Sequence, residues 1–389
     1  MTEPTPPRYG SASLADATPS VLAALDVPGF ANVLGVQPCS AAVILLVDAL
    51  GWEALSLHAA RAPFLAGLAE AATPISAGFP ATTAASIGSI GTGLPPGGHG
   101  LVGYTFAVTG YDRPMNALSW ALYGGGPYVD LRQEVVPEDF QPETTAFERA
   151  AANGVRVTLL GNPDHARSGM TRAVLRGGEY AGAYSMGDLA AEAAGAVRQA
   201  RAAERRALVY AYHPNLDLTG HIRGVASDAY GLELAHVDRL ASDIVDALPH
   251  DAALVVTGDH GMVDLSEDEK VDVADAPELV EAARMLAGEP RARFAYARPG
   301  AEADLLAAWR ERLGDRMWVV ERDEAISAGW FGLPVRDRVR PRIGDVVAAA
   351  HGRVGVFDRR VESFLASLVG HHGSMTPAEQ LVPFLVHRT

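Results

Sequence analysis

Six consecutive apolar residues, Ala42-Val43-Ile44-Leu45-Leu46-Val47, end abruptly at Asp48. A segment apolar at every position cannot be a strand with one face in water. It reads as a strand buried on both faces, the signature of a parallel sheet covered by helices. Val155 to Leu160, Ala207 to Tyr212 and Ala252 to Thr257 have the same character. Helical patterns lie between them: from about Trp52 to Ala71, over roughly 187–206 and over about 226–247. Strand and helix alternate, so the expected fold class is α/β, with a central, mainly parallel sheet flanked by helices. No internal repeat is visible.

At 389 residues the chain is too long for one small core and suits a large domain with an insertion. Residues 1–37 read as an N-terminal arm with one short helix, which Thr18-Pro19 would cap and open. The strand-helix rhythm is lost over 265–345. There a short strand from Arg293 to Tyr296, a helix over 301–313 and a strand from Met317 to Val320 predict a small, cap-like α+β subdomain. Residues 38–264 and 346–389 then form the core. The chain returns to it through Asp345 to Ala350 and Val354 to Phe357, and ends in an apolar stretch from Leu381 to Val386.

A net charge of −15 excludes nucleic acid as a bulk partner, because backbone phosphates need basic patches. It does not exclude a small phosphorylated substrate, since a bound metal reverses the local field. Cys39 is the sole cysteine, which rules out an intrachain disulfide and a thiolate metal cage; it reads as a buried free thiol. The polar, Pro-rich start and the short apolar runs predict neither a secretion signal nor a membrane span, so a cytoplasmic location is expected. No motif speaks to the oligomeric state.

In open α/β sheets, ligands bind at the carboxyl ends of the strands. Asp48 follows the first apolar run, Asp217 and His221 follow Ala207 to Tyr212, and Asp259 and His260 follow Ala252 to Thr257. His372 lies in Gly370-His371-His372-Gly373. Each segment alone reads more readily as a turn, a helix cap or a solvated loop. Together they place three carboxylates and three imidazoles at one sheet edge, in glycine-flanked turns. That set suits two divalent metal ions, zinc first and manganese or iron tolerated, with open positions left for substrate.

Thr83, in Phe79-Pro80-Ala81-Thr82-Thr83-Ala84-Ala85-Ser86, would sit at a helix N-terminus, where free N–H groups and the helix dipole favour an anion. Bound to a metal, its hydroxyl becomes a nucleophile; its plain alternative is a helix cap. Among the other candidates, His99 reads as a residue that pins a loop. His213 lines the substrate cleft or lies on the surface, and His371 competes with its neighbour as a ligand. Trp120, Tyr123 and Tyr128 read as packing rather than as a stacking platform.

Phe79-Pro80-x-x-Thr83, Thr92-Gly93-Leu94-Pro95 and His99-Gly100 resemble the nucleophile segment of nucleotide pyrophosphatases/phosphodiesterases, a branch of the alkaline phosphatase superfamily. Asp217-x-x-Gly220-His221, Thr257-x-Asp259-His260-Gly261-Met262 and Gly370-x-His372-Gly373 resemble that family's metal-binding motifs, in the same order. The resemblance covers most of the chain, from Asp48 to His372. It implies an alkaline phosphatase-like fold in which Asp48, Asp259, His260 and the Thr83 oxygen hold one zinc, and Asp217, His221 and His372 the other. It also implies in-line attack by Thr83 and a phospho-threonine intermediate, with the second zinc beside the leaving oxygen and then the hydrolytic water.

Two positions depart from the family pattern. Tyr104 stands where diesterases usually carry a substrate-binding Asn, and Thr82 where a Lys often precedes the nucleophile. Tyr104 is therefore expected to donate to substrate or to pack. The expected function is hydrolysis of a phosphodiester or pyrophosphate bond. A phosphomonoesterase or phosphonate hydrolase on the same core is the enzymatic alternative, and the lack of an Arg beside Thr83 favours diesters. The non-enzymatic alternative is an inactive phosphate-binding scaffold, against which stand six intact ligands and Thr83. Cys39 lacks the sequence context of a sulfatase nucleophile.

Overall fold

The computed structural model describes residues 3–389. Its principal strands are β1 (Ala41–Val47), β2 (Arg156–Gly161), β3 (Glu179–Gly182), β4 (Ala207–His213), β5 (Ala252–Gly258), β6 (Ala283–Glu289), β7 (Ala292–Ala297), β8 (Met317–Glu321), β9 (Val346–Ala350) and β10 (Phe384–Arg388). Its principal helices are α1 (Leu14–Ala24), α2 (Thr83–Thr92), α3 (Met186–Ala202), α4 (Asn215–Arg223), α5 (Asp228–Ala247) and α6 (Glu302–Leu313).

The four apolar runs become the four interior strands of a six-stranded sheet, ordered β10-β5-β1-β4-β2-β3. All pairs are parallel except β5 with β10 at the edge. Successive side chains of β1 enter opposite cores. Ala42, Ile44 and Leu46 pack with α1 and α2, and Val43, Leu45 and Val47 with α3 and α5. All are fully buried, which stabilises the fold by about 1.5–3 kcal/mol for each large aliphatic side chain. The register matters most for function. Ala41 pairs with Ala207 and Ala252, and Val47 with His213 and Gly258. Three strands therefore stop level with one another, and the residues that follow them share one edge.

Several local expectations are corrected. α1 is capped by Ser13 rather than by Thr18: the Ser13 N–H and hydroxyl both donate to Asp16, at 2.9 and 2.7 Å. Pro19 lies inside the helix. Nor does this segment lie apart as an arm: Leu14, Ala17, Val21 and Leu22 are buried in the core that holds α2. The helix expected over 52–71 is two helices, Trp52–Leu57 and Pro63–Ala69, separated by a 3-10 turn. Pro63 cannot continue a helix but suits the first position of a new one.

The inserted unit is a four-stranded antiparallel sheet, β6-β7-β9-β8, covered by α6 through Leu305, Trp309 and Leu313. β6 was not expected, since Arg284 and Gly288 interrupt any apolar period along it. β9 was expected to return to the main sheet and instead lies inside the small one, between β7 and β8. A run as apolar as Val346 to Ala350 suits the middle of either sheet, so composition could not choose. The insertion thus reaches past 345, and Gly355–Phe357 also pairs with Lys270–Asp272. A buried ion pair fastens it to the core: Arg291 Nε and Nη2 each donate at 2.7 Å to the two carboxylate oxygens of Glu379.

Candidate two-metal site

Asp48 is the first residue past β1 and Asp259 the first past β5. Ala49 has a φ of 59°, a left-handed conformation unusual for a residue with a side chain. Two bonds hold it there: its N–H donates to Asp259 Oδ1 at 2.9 Å, and its carbonyl accepts from the Tyr230 hydroxyl at 2.8 Å. The turn after one strand is thereby tied to the carboxylate after its neighbour. Thr82 caps α2 from an extended backbone, and Thr83 is the first helical residue. Thr83 Oγ1 lies 3.3 Å from His260 Nε2 and 3.5 Å from Asp48 Oδ1. Ser86 Oγ donates to the Asp259 carbonyl at 2.6 Å and locks the start of α2 onto the loop after β5.

Asp217 lies in the first turn of α4, with His221 four residues on along the same face. His221 Nε2 is 3.3 Å from Asp217 Oδ1. His372 follows the short strand Gly370–His371, and its ring stacks on His260 at 3.6 Å between centroids. All three imidazoles turn Nδ1 to a backbone carbonyl: His221 to Gly370 at 2.7 Å, His260 to Gly261 at 2.9 Å and His372 to Ala81 at 2.9 Å. A carbonyl only accepts, so Nδ1 carries the proton and Nε2 is left as a donor atom for a metal.

The ligand atoms of Asp48, Asp259 and His260 lie within 4.8 Å of one another, which is the triad expected for one metal. The second group within that distance is Asp217, His260 and His372. It brings together two of the three residues expected at the other metal, while His221 stands against Asp217 at its rim.

Burial, joined by the charge of Asp48, pushes the Asp217 and Asp259 carboxyls well above the usual range. Burial also opposes the charge on Asp48, but His260 and the Tyr212 hydroxyl outweigh it and hold Asp48 low. Burial would discharge His260, yet Asp259 and Asp48 push it up to about 10. The pull that would protonate its Nε2 is also the pull that would hold a cation there. Burial, with the charge of His260, drives His372 well below its ordinary value. Asp217 Oδ1 and Asp259 Oδ2 are buried without a hydrogen-bond partner among the described residues. Such oxygens are costly unless a cation meets them. Carboxylate oxygen with imidazole nitrogen is a donor set that suits zinc, and also manganese or iron.

Strand alternation decides what sequence patterns missed. Tyr210 and Tyr212 share the face of β4 that looks onto the cluster, and the Tyr212 hydroxyl donates to Asp48 Oδ2. His213 was expected to line the cleft. It faces the opposite way and is buried, with Nε2 3.4 Å from Glu233 Oε1. The period of two along β4 was the available signal. Tyr104 does face the site and rests edge-on against Tyr123 at 5.6 Å. His371 Nε2 turns to the Leu368 carbonyl at 3.1 Å, away from the cluster. His99 is fully buried and its Nδ1 accepts from the Leu101 N–H at 3.2 Å, as a loop pin should. Trp120 is packed in the core, its indole N–H bonded to the Val135 carbonyl at 2.7 Å.

Two cavities meet at Thr83. One, of about 310 Å³, runs past Asp48 between Tyr180, Tyr210, Tyr212 and Leu218. The other, of about 190 Å³, runs past His221 and His372 between Tyr104, Glu289 and Phe364. Among the described residues, neither is lined by Lys or Arg. A larger cavity of about 550 Å³, beside Phe140 and Arg342, holds none of the cluster. Ligand chemistry, not size, singles out the site.

A family model described as type I phosphodiesterase / nucleotide pyrophosphatase matches residues 42–375. The chain belongs to the type I phosphodiesterase/nucleotide pyrophosphatase family. It is thus a hydrolase of phosphoric ester or anhydride bonds, and the match runs through every residue of the cluster. Among solved structures, murine ectonucleotide pyrophosphatase / phosphodiesterase 5 has a TM-score of 0.66 at 17% identity, over 89% of this chain and 87% of that one. An inactive form of that protein in complex with AMP has a TM-score of 0.64 at 16% identity, over 89% and 87%. Phosphonoacetate hydrolase from Sinorhizobium meliloti 1021, in complex with phosphonoformate, has a TM-score of 0.64 at 19% identity, over 89% of each chain. At these identities the likeness is one of fold: α/β, with a mostly parallel central sheet. No curated protein matches the chain. No helix among the described residues of this family member is long and apolar enough to cross a membrane.

Proposed function

We propose that the protein hydrolyses a phosphodiester or pyrophosphate bond of a small substrate by attack of Thr83 Oγ1 on phosphorus, through a phospho-threonine intermediate. Asp48, Asp259 and His260, with Thr83 Oγ1, would hold one divalent metal, and Asp217, His221 and His372 a second; zinc is the first candidate. The reading is carried by the place of Thr83: its hydroxyl lies 3.3 Å from His260 and 3.5 Å from Asp48, at the junction of two cavities. When bound, the metals supply positive charge that favours the ionised hydroxyl and offsets the charge of the phosphoryl group.

The chain's own groups do the rest. The first turn of α2 turns its free N–H groups toward an anion docked at Thr83. Tyr212 holds the Asp48 carboxylate in place from behind. Nδ1–H bonds to Gly261, Gly370 and Ala81 fix the three imidazoles with Nε2 facing inward. Tyr104 borders Thr83 and is the contact we assign to substrate on the leaving-group side. The missing Lys and Arg in both cavities favour a diester over a phosphomonoester or a carboxylate-bearing phosphonate, each of which brings extra negative charge.

The test uses metal-analysed protein with bis-p-nitrophenyl phosphate, p-nitrophenyl phosphate and phosphonoacetate. The diester is expected to be cleaved fastest, and Thr83→Ala to lower that rate by about three orders of magnitude or more. Faster cleavage of the monoester or phosphonate would replace the diester reading. Two bound metals with no turnover would return the scaffold reading.

A further inference from the structure

Glu289 is the last residue of β6, and it enters the cavity of about 190 Å³ from the inserted sheet. It is 3% exposed, and neither carboxylate oxygen has a hydrogen-bond partner among the described residues. Its place is built: Gly373 has a φ of 130°, and a Cβ there would lie 2.6 Å from Glu289 Cγ.

The groups that would account for a buried acid are committed elsewhere. Arg293 donates from Nη1 and Nη2 to Glu362, at 2.9 and 2.5 Å, and from Nε to the Val356 carbonyl. His372 Nδ1, 4.0 Å from Glu289 Oε2, donates to Ala81. Burial pushes the Glu289 carboxyl up to about 8; the Thr82 hydroxyl and Tyr104 N–H nearby offset this only in part and are not in hydrogen-bonding geometry. Glu289 therefore holds no ligand by a hydrogen bond, and the neutral His372 beside it closes no ion pair. A buried carboxyl left open in this way is costly unless something entering the cavity completes it.

The surrounding wall narrows what that is. Tyr104 and the 68% exposed Phe364 add aromatic surface, and among the described residues no Lys or Arg lines the cavity. A carboxylate beside aromatic faces is the set that holds an alkylammonium. A neutral alkyl group of the same shape would leave the carboxyl facing carbon, and an anion would add repulsion. The cavity also borders Asp217, His221 and His372, the side assigned above to the leaving oxygen.

We propose that Glu289, with Tyr104 and Phe364, selects phosphodiesters whose leaving alcohol carries an ammonium group over those with neutral or anionic alcohols. The inference rests on the phosphodiesterase reading. Three esters of thymidine 5′-phosphate test it: with choline, with its neutral isostere 3,3-dimethylbutanol, and with a hydroxy acid, each followed by release of thymidine 5′-phosphate. Choline binding to the metal-loaded protein is measured in parallel by calorimetry. We expect the choline ester to exceed its neutral isostere by about tenfold or more in kcat/KM. In Glu289→Gln that ratio should fall toward unity and choline binding should be lost. Phe364→Ala, at an exposed position that does not threaten folding, should lower the same ratio.

An unchanged ratio in both variants, equal loss of both esters, or loss of a bound metal in Glu289→Gln would overturn the proposal. If bis-p-nitrophenyl phosphate is cleaved but choline is neither bound nor preferred, this inference alone falls. If no diester is cleaved while choline binds in a Glu289-dependent way, the cation site stands and the phosphodiesterase reading falls.

Discussion

His99 and His260 are both fully buried, yet their protons are pulled in opposite directions. Burial, helped by the charges of Arg342 and Arg338, pushes His99 down to about 3, whereas the acidic cluster pushes His260 up to about 10. The same side chain is a neutral strut in one place and a cation-seeking ligand in the other. His99 has a consequence for stability. Its folded value lies below the roughly 6.5 of an unfolded histidine, so below pH 6.5 the unfolded chain binds the extra proton. The stability it contributes is present above pH 6.5 and is lost as the pH falls toward 3. Between pH 7.5 and 5, wild type should lose about 2 kcal/mol more than His99→Gln, read by urea denaturation of both proteins. Parallel losses would mean that another group carries the acid sensitivity.

At the scale of elements, the site depends on how closely the loops after β1 and β5 approach. A Cβ on Gly258 would lie 2.1 Å from the Leu50 carbonyl oxygen, a backbone atom that cannot swing aside. Gly195, inside α3, would place a Cβ no nearer than 4.0 Å to the end of Arg198. Gly258→Ala should therefore destabilise by about 2 kcal/mol or more and lower the metal content. Gly195→Ala should be neutral or stabilise by up to about 1 kcal/mol. Thermal unfolding with metal analysis separates the two. Equal effects would show that the loop approach is looser than these distances. The elements were legible where they were long and apolar: β1, β2, β4 and β5 follow the runs that marked them. β6 was not, because Arg284 and Gly288 hide its period, and β9 was seen but assigned to the wrong sheet.

The two larger sheets of the molecule share an apolar core and are pinned together by buried charge. Arg291 and Glu379 are 1% and 0% exposed, and Glu379 also accepts from the Ser374 N–H at 3.0 Å. Such a pair adds little over well-packed apolar groups, but removing one partner strands the other. Arg291→Met should cost about 3–5 kcal/mol, and Arg291→Met with Glu379→Gln should recover part of that. Denaturant unfolding of the single and double variants checks it; additive losses would deny the coupling. Loosening this joint also moves β6 and the Glu289 it carries, so the fall in stability should be accompanied by a change in leaving-group preference.

Sequence by itself determined the α/β class, the strands that stop at the site, the carboxylates and imidazoles that follow them, and the threonine at a helix start. These are local properties: apolar runs report burial, and a residue just past a strand reports the edge it reaches. Only the tertiary structure decided that His213 turns away while Tyr212 reaches Asp48, that His260 and His372 stack, and that Glu289 arrives from another sheet. Those facts depend on register, on which face of a strand meets which neighbour, and on contacts between residues far apart in the chain. No local pattern carries that information.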